Sequence, residues 1–171
     1  MPQGEKVILR SCEPADLEML LHWENDTTVW KITGTYIPFS KRTLEKYLDT
    51  VHDLFSDRQF RFIFCEKASK KPIGIVDLFD FEPHHLRAGV GILVGDQENR
   101  SAGYGKDALQ ALITYCREIV GLRILYCYIL VDNVNSIKLF EGCGFKKVAT
   151  LEKWHRRQNE LIDEHMYILY L

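Results

Sequence analysis

Short alternating runs of apolar residues fill the first half of the chain, a helical spacing follows, and short runs return at the end. Val7 to Arg10 predicts a strand. Pro14 suits a first helical position, and Leu17, Leu20 and Leu21 share one face of a helix reaching about Trp23. Asn25 to Gly34 reads as a turn, and Ser40 can cap a helix over roughly Lys41 to Leu54. Strands are predicted at Arg61 to Glu66, Pro72 to Phe81 and Ala88 to Val94, joined by polar turns, which makes an antiparallel meander. Gly95 to Ala102 is polar. From Gly103 to about Ile119, Ala108, Leu109, Leu112 and Cys116 fall at helical spacing, and Gly121 ends the run. Arg123 to Val131 is a strongly apolar strand, Asn135 to Glu141 a short helix, and Lys146 to Leu151 and His165 to Leu171 are closing strands. No repeat or linker interrupts the series. The expectation is one α+β domain over residues 1–171.

Composition narrows the setting. Apolar residues make up 46% and charged residues 27%, the balance of a folded globular chain. A net charge of −2 gives no reason to expect nucleic acid as partner. No apolar run approaches the roughly 20 residues that span a bilayer, and the N-terminus lacks the apolar stretch of a secretory signal. Five cysteines, odd in number and without a C-x-x-C pair, point to buried free thiols rather than disulfides or a zinc site. These features place the protein in the cytoplasm, with no membrane and no metal expected.

The stretch "RSAGYGK", residues 100 to 106, stands before the long helix. A P-loop would need Ser or Thr where Asp107 stands and glycine where Arg100 stands, so it is rejected. Gly103-Tyr104-Gly105-Lys106-Asp107-Ala108 does match the dinucleotide fingerprint. However, a polar loop separates it from the preceding strand, and it follows a meander rather than opening the domain. The third reading is R-x-x-G-x-G, with Arg100, Gly103 and Gly105. Glycines let successive N–H groups turn toward one anion, the helix start adds its positive end, and Arg100 or Lys106 supplies counter-charge. A plain glycine turn into a helix stays open on these residues alone.

"VDNVNSIKLFEGCGF", Val131 to Phe145, carries more. With the cradle before it, the segment resembles the signature blocks of the GNAT superfamily of acyl-CoA N-acyltransferases: Asn133, Ser136, Ile137, Leu139, Glu141, Gly144 and Phe145 all fit. The opening "ILRSCEPADLEMLLHWENDTTVW" and closing "HMYILYL" look like the branch of ribosomal-protein N-terminal and spermidine N-acetyltransferases. The resemblance implies a mixed, mostly antiparallel sheet, flanked by helices and splayed into a V. It implies acetyl-CoA as co-substrate, held by Leu93, Val94, Arg100, Ser101, Ala102, Gly103, Tyr104, Gly105, Lys106, Asn133, Ser136 and Phe140. It also implies direct transfer without an acyl-enzyme, and dimers are common among relatives.

Amine acetylation requires a proton acceptor and gains from an oxyanion donor and an acid for the thiolate. The resemblance puts the usual base at Gly89 or Val90 and the usual acid at Phe140, none of which can serve. Replacement bases are Asp77 and Asp80, three apart and so on opposite strand faces. His84 and His85 lie in a turn, and Tyr104 and Tyr167 are candidate acids that also suit packing. Cys143 reads as a structural thiol. Trp23 and Trp30 flank the acceptor side, where core packing is the default. Asp49, Asp53 and Asp57 at i, i+4, i+8 would share a helix face. With Glu24 and Asp26 they would make an acidic mouth for a polyamine or other cationic amine. A small-molecule amine is thus the leading acceptor and a peptide N-terminus the runner-up. A non-catalytic CoA-binding sensor or interaction module is the reading of another class.

Overall fold

The computed structural model describes residues 1–50 and 52–171. Its frame is a seven-stranded sheet in the order β1-β2-β3-β4-β5-β7-β6. The strands are β1 (Val7–Ser11), β2 (Phe60–Glu66), β3 (Pro72–Glu82), β4 (Arg87–Val94), β5 (Ile124–Leu130), β6 (Lys146–Arg157) and β7 (Glu160–Tyr170). All neighbours pair antiparallel except β4 and β5. The helices are α1 (Leu17–Glu24), α2 (Thr27–Thr33), α3 (Lys41–Leu48), α4 (Leu54–Asp57), α5 (Tyr104–Tyr115) and α6 (Val134–Glu141). This is the α+β sheet the sequence predicts. No described helix is long and apolar enough to cross a membrane.

Strand alternation divides the core between the sheet's two sides. Phe62, Phe64, Val76, Leu78 and Val90 pack with Leu109 and Leu112 of α5. Ile63, Cys65 and Ile75 pack with Leu20 and Trp23 of α1 and Leu44 of α3. The Phe62 and Phe64 rings are buried, as their spacing implies.

Three segments differ from the sequence expectation. Asn25 to Gly34 is not a turn: Asp26 caps α2 by accepting the Thr28 N–H at 2.9 Å, and the helix ends at Gly34. Its β-branched residues hide a helix that burial of Val29 pays for. The helix from Lys41 stops at Leu48, and Asp53 accepts the Phe55 and Ser56 N–H groups to start the separate turn α4; Val51 lies outside the described residues. The closing strands are longer than predicted and join as one hairpin, β6–β7, through "WHRRQNELIDEH".

A buried carboxylate fixes the entry to α1. Asp16, 6% exposed, accepts from Arg10 Nη1 and Nη2 at 2.7 Å each and from the Glu13 N–H at 2.8 Å. Burial pushes its pKa up, but the Arg10 and Glu13 hydrogen bonds outweigh that, so it lies below the ordinary value. A carboxylate with a depressed folded pKa contributes stability above its unfolded pKa of about 3.9 and loses it as pH falls through the folded value. Asp16→Asn is therefore expected to cost roughly 1–3 kcal/mol at pH 7. In urea titrations the gap from wild type should close below about pH 4.

Candidate active site

The site begins where strand pairing stops. β4 and β5 pair only at Arg87↔Ile124, Ala88↔Leu125 and Gly89↔Tyr126. Beyond Gly89 the two strands diverge, and a cleft of about 550 Å³ opens between them. Val90, Gly91, Ile92 and Leu93 form one wall, and Cys127 to Leu130 form the other. Asn133, Ser136 and Phe140 close one side; Glu24, Arg61 and Asp77 line another. Among the described residues, the edge of β4 that faces the cleft has no strand partner after Gly89, so its backbone groups there are left outside any strand ladder.

The glycine loop stands at the far end of β4. Gly103 has φ +86 and precedes α5 directly, a conformation that strains a residue with a Cβ. Gly105 is buried, and a Cβ there would lie 3.4 Å from Val94 and 3.9 Å from Ile92. The loop is thus pressed onto the end of the β4 wall. Arg100 donates to the Gly95 carbonyl at 3.2 Å, which braces the loop from within.

Two residues of this loop's support were not singled out in the sequence. Asp107 accepts the backbone N–H groups of Glu5, Lys6 and Val7 at 2.9, 2.8 and 2.9 Å. That clamp brings Lys6 to the loop, where its ammonium donates to the Ala102 carbonyl at 3.0 Å. The contacts span about a hundred residues, so no local pattern announces them. They place the Lys6 ammonium beside the loop that carries Arg100 and Lys106 at the start of α5.

The remaining site residues divide clearly. Asn133 caps α6, accepting the Ser136 N–H at 3.2 Å, and both residues border the cleft. Phe140, 4% exposed, stands edge-to-face on Phe145 at 5.0 Å. Tyr104 turns from the cleft and donates to Glu66 at 2.6 Å, which raises its pKa. Tyr167 is buried and donates to Glu141 at 3.2 Å. Burial also raises the Cys143 pKa, which suits a packing thiol. Trp23 is buried with its N–H on Asp96, and the Trp30 N–H reaches the Glu24 carbonyl; neither lines the cleft.

The carboxylates are arranged otherwise than expected. Asp77 lines the cleft opposite Gly91, but both its oxygens accept from Arg61, at 2.8 Å each. Arg61 also donates to Glu24 at 2.5 Å. Asp80 is exposed at φ +47, where the β3–β4 register breaks, and points to the Tyr126 hydroxyl rather than into the cleft. Only one of the two aspartates lines the cleft, in keeping with their three-residue spacing. His84 and His85 lie in the exposed turn. Asp26, Asp49, Asp53 and Asp57 do not form the predicted mouth. Asp26 and Asp53 are N-caps, Asp49 ends α3, and Asp57 pairs with His52 at 3.5 Å. Glu164 of β7 lines the cleft instead, its side chain 12% exposed, with His155 Nε2 at 3.0 Å.

Known proteins share this architecture. The chain is 26% identical over 169 residues to the Vibrio cholerae spermidine N(1)-acetyltransferase, covering 97% of this chain and 94% of that one. It is 23% identical over 173 residues to an N-acetyltransferase 9-like protein of Caenorhabditis briggsae, covering 95% and 86%. In three dimensions it superposes on the Vibrio cholerae spermidine N-acetyltransferase in complex with CoA and spermine with a TM-score of 0.87, at 21% identity over 98% of this chain and 96% of that one. A GNAT-family acetyltransferase from Bacillus anthracis gives 0.83 at 18% identity, over 98% and 96%. The acetyltransferase (GNAT) domain family matches residues 6–146, most of the chain: this chain belongs to the GNAT acetyltransferases.

Proposed function

We propose that this acetyltransferase moves the acetyl group of acetyl-CoA directly to a primary amine of a polyamine-like cation. The observation that carries the acceptor class is the Glu24–Arg61–Asp77 cluster on the cleft wall. One guanidinium stands between two carboxylates, which leaves net negative charge on that wall. A cation entering there meets an excess of negative charge in a partly desolvated site, where such attraction is less screened than in bulk water. The similarity to a spermidine N(1)-acetyltransferase over nearly the full length of both chains supports the same acceptor.

The residues present also fit acetyl-CoA. A pyrophosphate suits the N–H groups at Gly103 to Gly105, with Lys6, Arg100 and Lys106 as counter-charge. An extended amide-bearing arm suits the unpaired edge of β4, with Leu93 and Val94 leading to the cradle and Asn133, Ser136 and Phe140 facing it. Bound there, acetyl-CoA supplies the activated acyl group, and this chain supplies position, charge and a proton acceptor. In this reading residues 1–171 work as one acyltransferase domain, since their strands share one sheet. Free cysteines support a cytoplasmic setting. We infer a homodimer; exposed Val148, Trp154 and Leu161 on the outer hairpin support it.

Arg61 occupies both oxygens of Asp77, so we assign Asp77 to acceptor attraction rather than proton removal. A peptide N-terminus is the second reading, favoured by exposed Ile32, which lines the cleft, and by exposed Tyr36 and Ile37 in the segment that follows it, where side chains of a peptide could rest. Initial rates with spermidine, spermine and short peptides decide between them: faster acetylation of polyamines supports the first reading, and faster acetylation of peptides overturns it. Acetyl-CoA binding without turnover of any amine would leave the sensor reading.

Two variants test the assignments. Gly103→Val should weaken acetyl-CoA binding in calorimetry by about tenfold or more, the equivalent of ~1.4 kcal/mol of backbone strain. Gly105→Val should also weaken it, by crowding Val94. Asp77→Asn should raise the KM for spermidine by about tenfold, the loss of ~1.4 kcal/mol of attraction, and leave the KM for acetyl-CoA unchanged.

A further inference from the structure

We propose that Glu164 is the general base of this acetyltransferase and that His155 positions it; the proposal rests on the acetyl-transfer reading above. The need for such a group comes from β4 itself. Gly89, Val90 and Gly91 offer no proton acceptor, and a side chain at Gly89 would enter the Phe79 ring, since even a Cβ would lie 2.2 Å from it. Among the carboxylates lining the cleft, Asp77 and Glu24 are both committed to Arg61. Glu164 has no arginine or lysine within ion-pair distance among the described residues; its charged neighbour is His155 at 3.0 Å.

The hairpin is shaped to make that contact. From the Leu151↔Glu164 pair to the His155↔Ile162 pair, β6 advances four residues while β7 retreats two. The extra residues form a bulge in which Lys153 has φ +53 and its N–H donates to the Asp163 carboxylate at 2.7 Å. Bulges re-aim side chains, and this one sets His155 diagonally beside Glu164. The neighbouring charged groups are engaged elsewhere. His165 meets the Thr150 hydroxyl at 3.0 Å, Arg157 pairs with Asp132, and Asp163 holds the Lys153 N–H. The His155 ring is 40% exposed, yet its Nε2 is sealed from solvent. Its approach to Glu164 is too angled for a hydrogen bond, and among the described residues Nε2 has no hydrogen-bond partner, so this buried polar nitrogen is aimed at the carboxylate without yet being satisfied by it. Catalytic contacts commonly sit loose before substrate arrives and tighten around it.

With Nε2 protonated, His155 holds one oxygen of Glu164 and leaves the other to face the cleft. That oxygen takes a proton from the acceptor ammonium, directly or through one water, which gives a neutral amine and a neutral carboxyl. The amine lone pair forms the C–N bond at the thioester carbonyl, and the C–S bond breaks. The second nitrogen proton goes to the departing thiolate. Glu164 then releases its proton to solvent, so the products are the N-acetyl amine, CoA thiol and one proton.

The test compares wild type, Glu164→Gln and His155→Gln with spermidine. Glu164→Gln should lower kcat by about 100-fold or more, with the spermidine KM little changed and acetyl-CoA binding by calorimetry equal to wild type, which also reports an intact fold. His155→Gln should lower kcat by about 10- to 100-fold through misplacement, again without raising KM. In wild type bound to CoA and spermidine, proton NMR should show a downfield imidazole N–H signal that both variants lose. Retained kcat with a raised KM in Glu164→Gln would make Glu164 an acceptor-binding carboxylate and overturn the proposal. Unchanged kinetics in His155→Gln, or no such signal in wild type, would overturn the pair. A wild type that turns over no amine overturns the acetyl-transfer reading and the base with it. An active wild type with an equally active Glu164→Gln overturns the base alone.

Discussion

The arrangement of this protein depends on a parallel pairing that stops after three residue pairs. Beyond Gly89↔Tyr126, β4 keeps its partner on one side and loses it on the other. Unpaired strand edges are unfavourable when buried and prone to unwanted association when exposed. Here the divergence sets the edge into the wall of a cleft. The apex is closed by aromatic packing: the Phe79 ring covers Gly89 and meets Tyr126 edge-on at 6.1 Å. Gly89 is therefore a packing requirement, and that requirement removes the position from acid–base chemistry.

Charge follows from the same geometry. Asp77 lies across from Gly91 on β3, and the missing side chain on β4 leaves the carboxylate open to the cleft. Left alone there, it would sit against desolvated apolar strands at high cost. Arg61, on the next strand, satisfies both of its oxygens and reaches Glu24 on α1. Burial opposes the guanidinium charge, but the two carboxylates and their hydrogen bonds hold its pKa well above the ordinary arginine value. A buried ion cluster of this kind is a weak source of stability compared with apolar packing. Its position on the wall of a cleft gives it a different use, since it presents fixed negative charge to whatever cation enters.

Local signals and long-range contacts differ in what they reveal beforehand. Gly103, Gly105 and Asn133 were legible because their work is local: a positive φ, a close approach to Val94 and a helix cap. Most strands and helices were legible for the same reason, through periodicity and capping residues. The helix α2 was not, because Thr27, Thr28, Val29 and Ile32 disfavour helix locally and only tertiary packing of Val29 overrides them. The acidic mouth failed because Asp49 to Asp57 was read as one helix, while Asp53 starts a new turn. Lys6 and Asp107 meet only through contacts about a hundred residues apart, and His155 reaches Glu164 only because a bulge shifts the hairpin register, which periodicity does not announce.

Phe140 completes the case for a chemistry that relies on the base side. The resemblance places an acid for the leaving thiol at that position, and the structure fills it with a buried ring set edge-to-face on Phe145. A thiolate is already a good leaving group, and the proton it needs is released by the attacking nitrogen itself as the amide forms. What cannot be dispensed with is the first proton, because an ammonium has no lone pair with which to attack. The demand on the protein is therefore asymmetric: it must supply a proton acceptor on the acceptor side of the cleft, and the hairpin bulge that sets His155 beside Glu164 answers that demand.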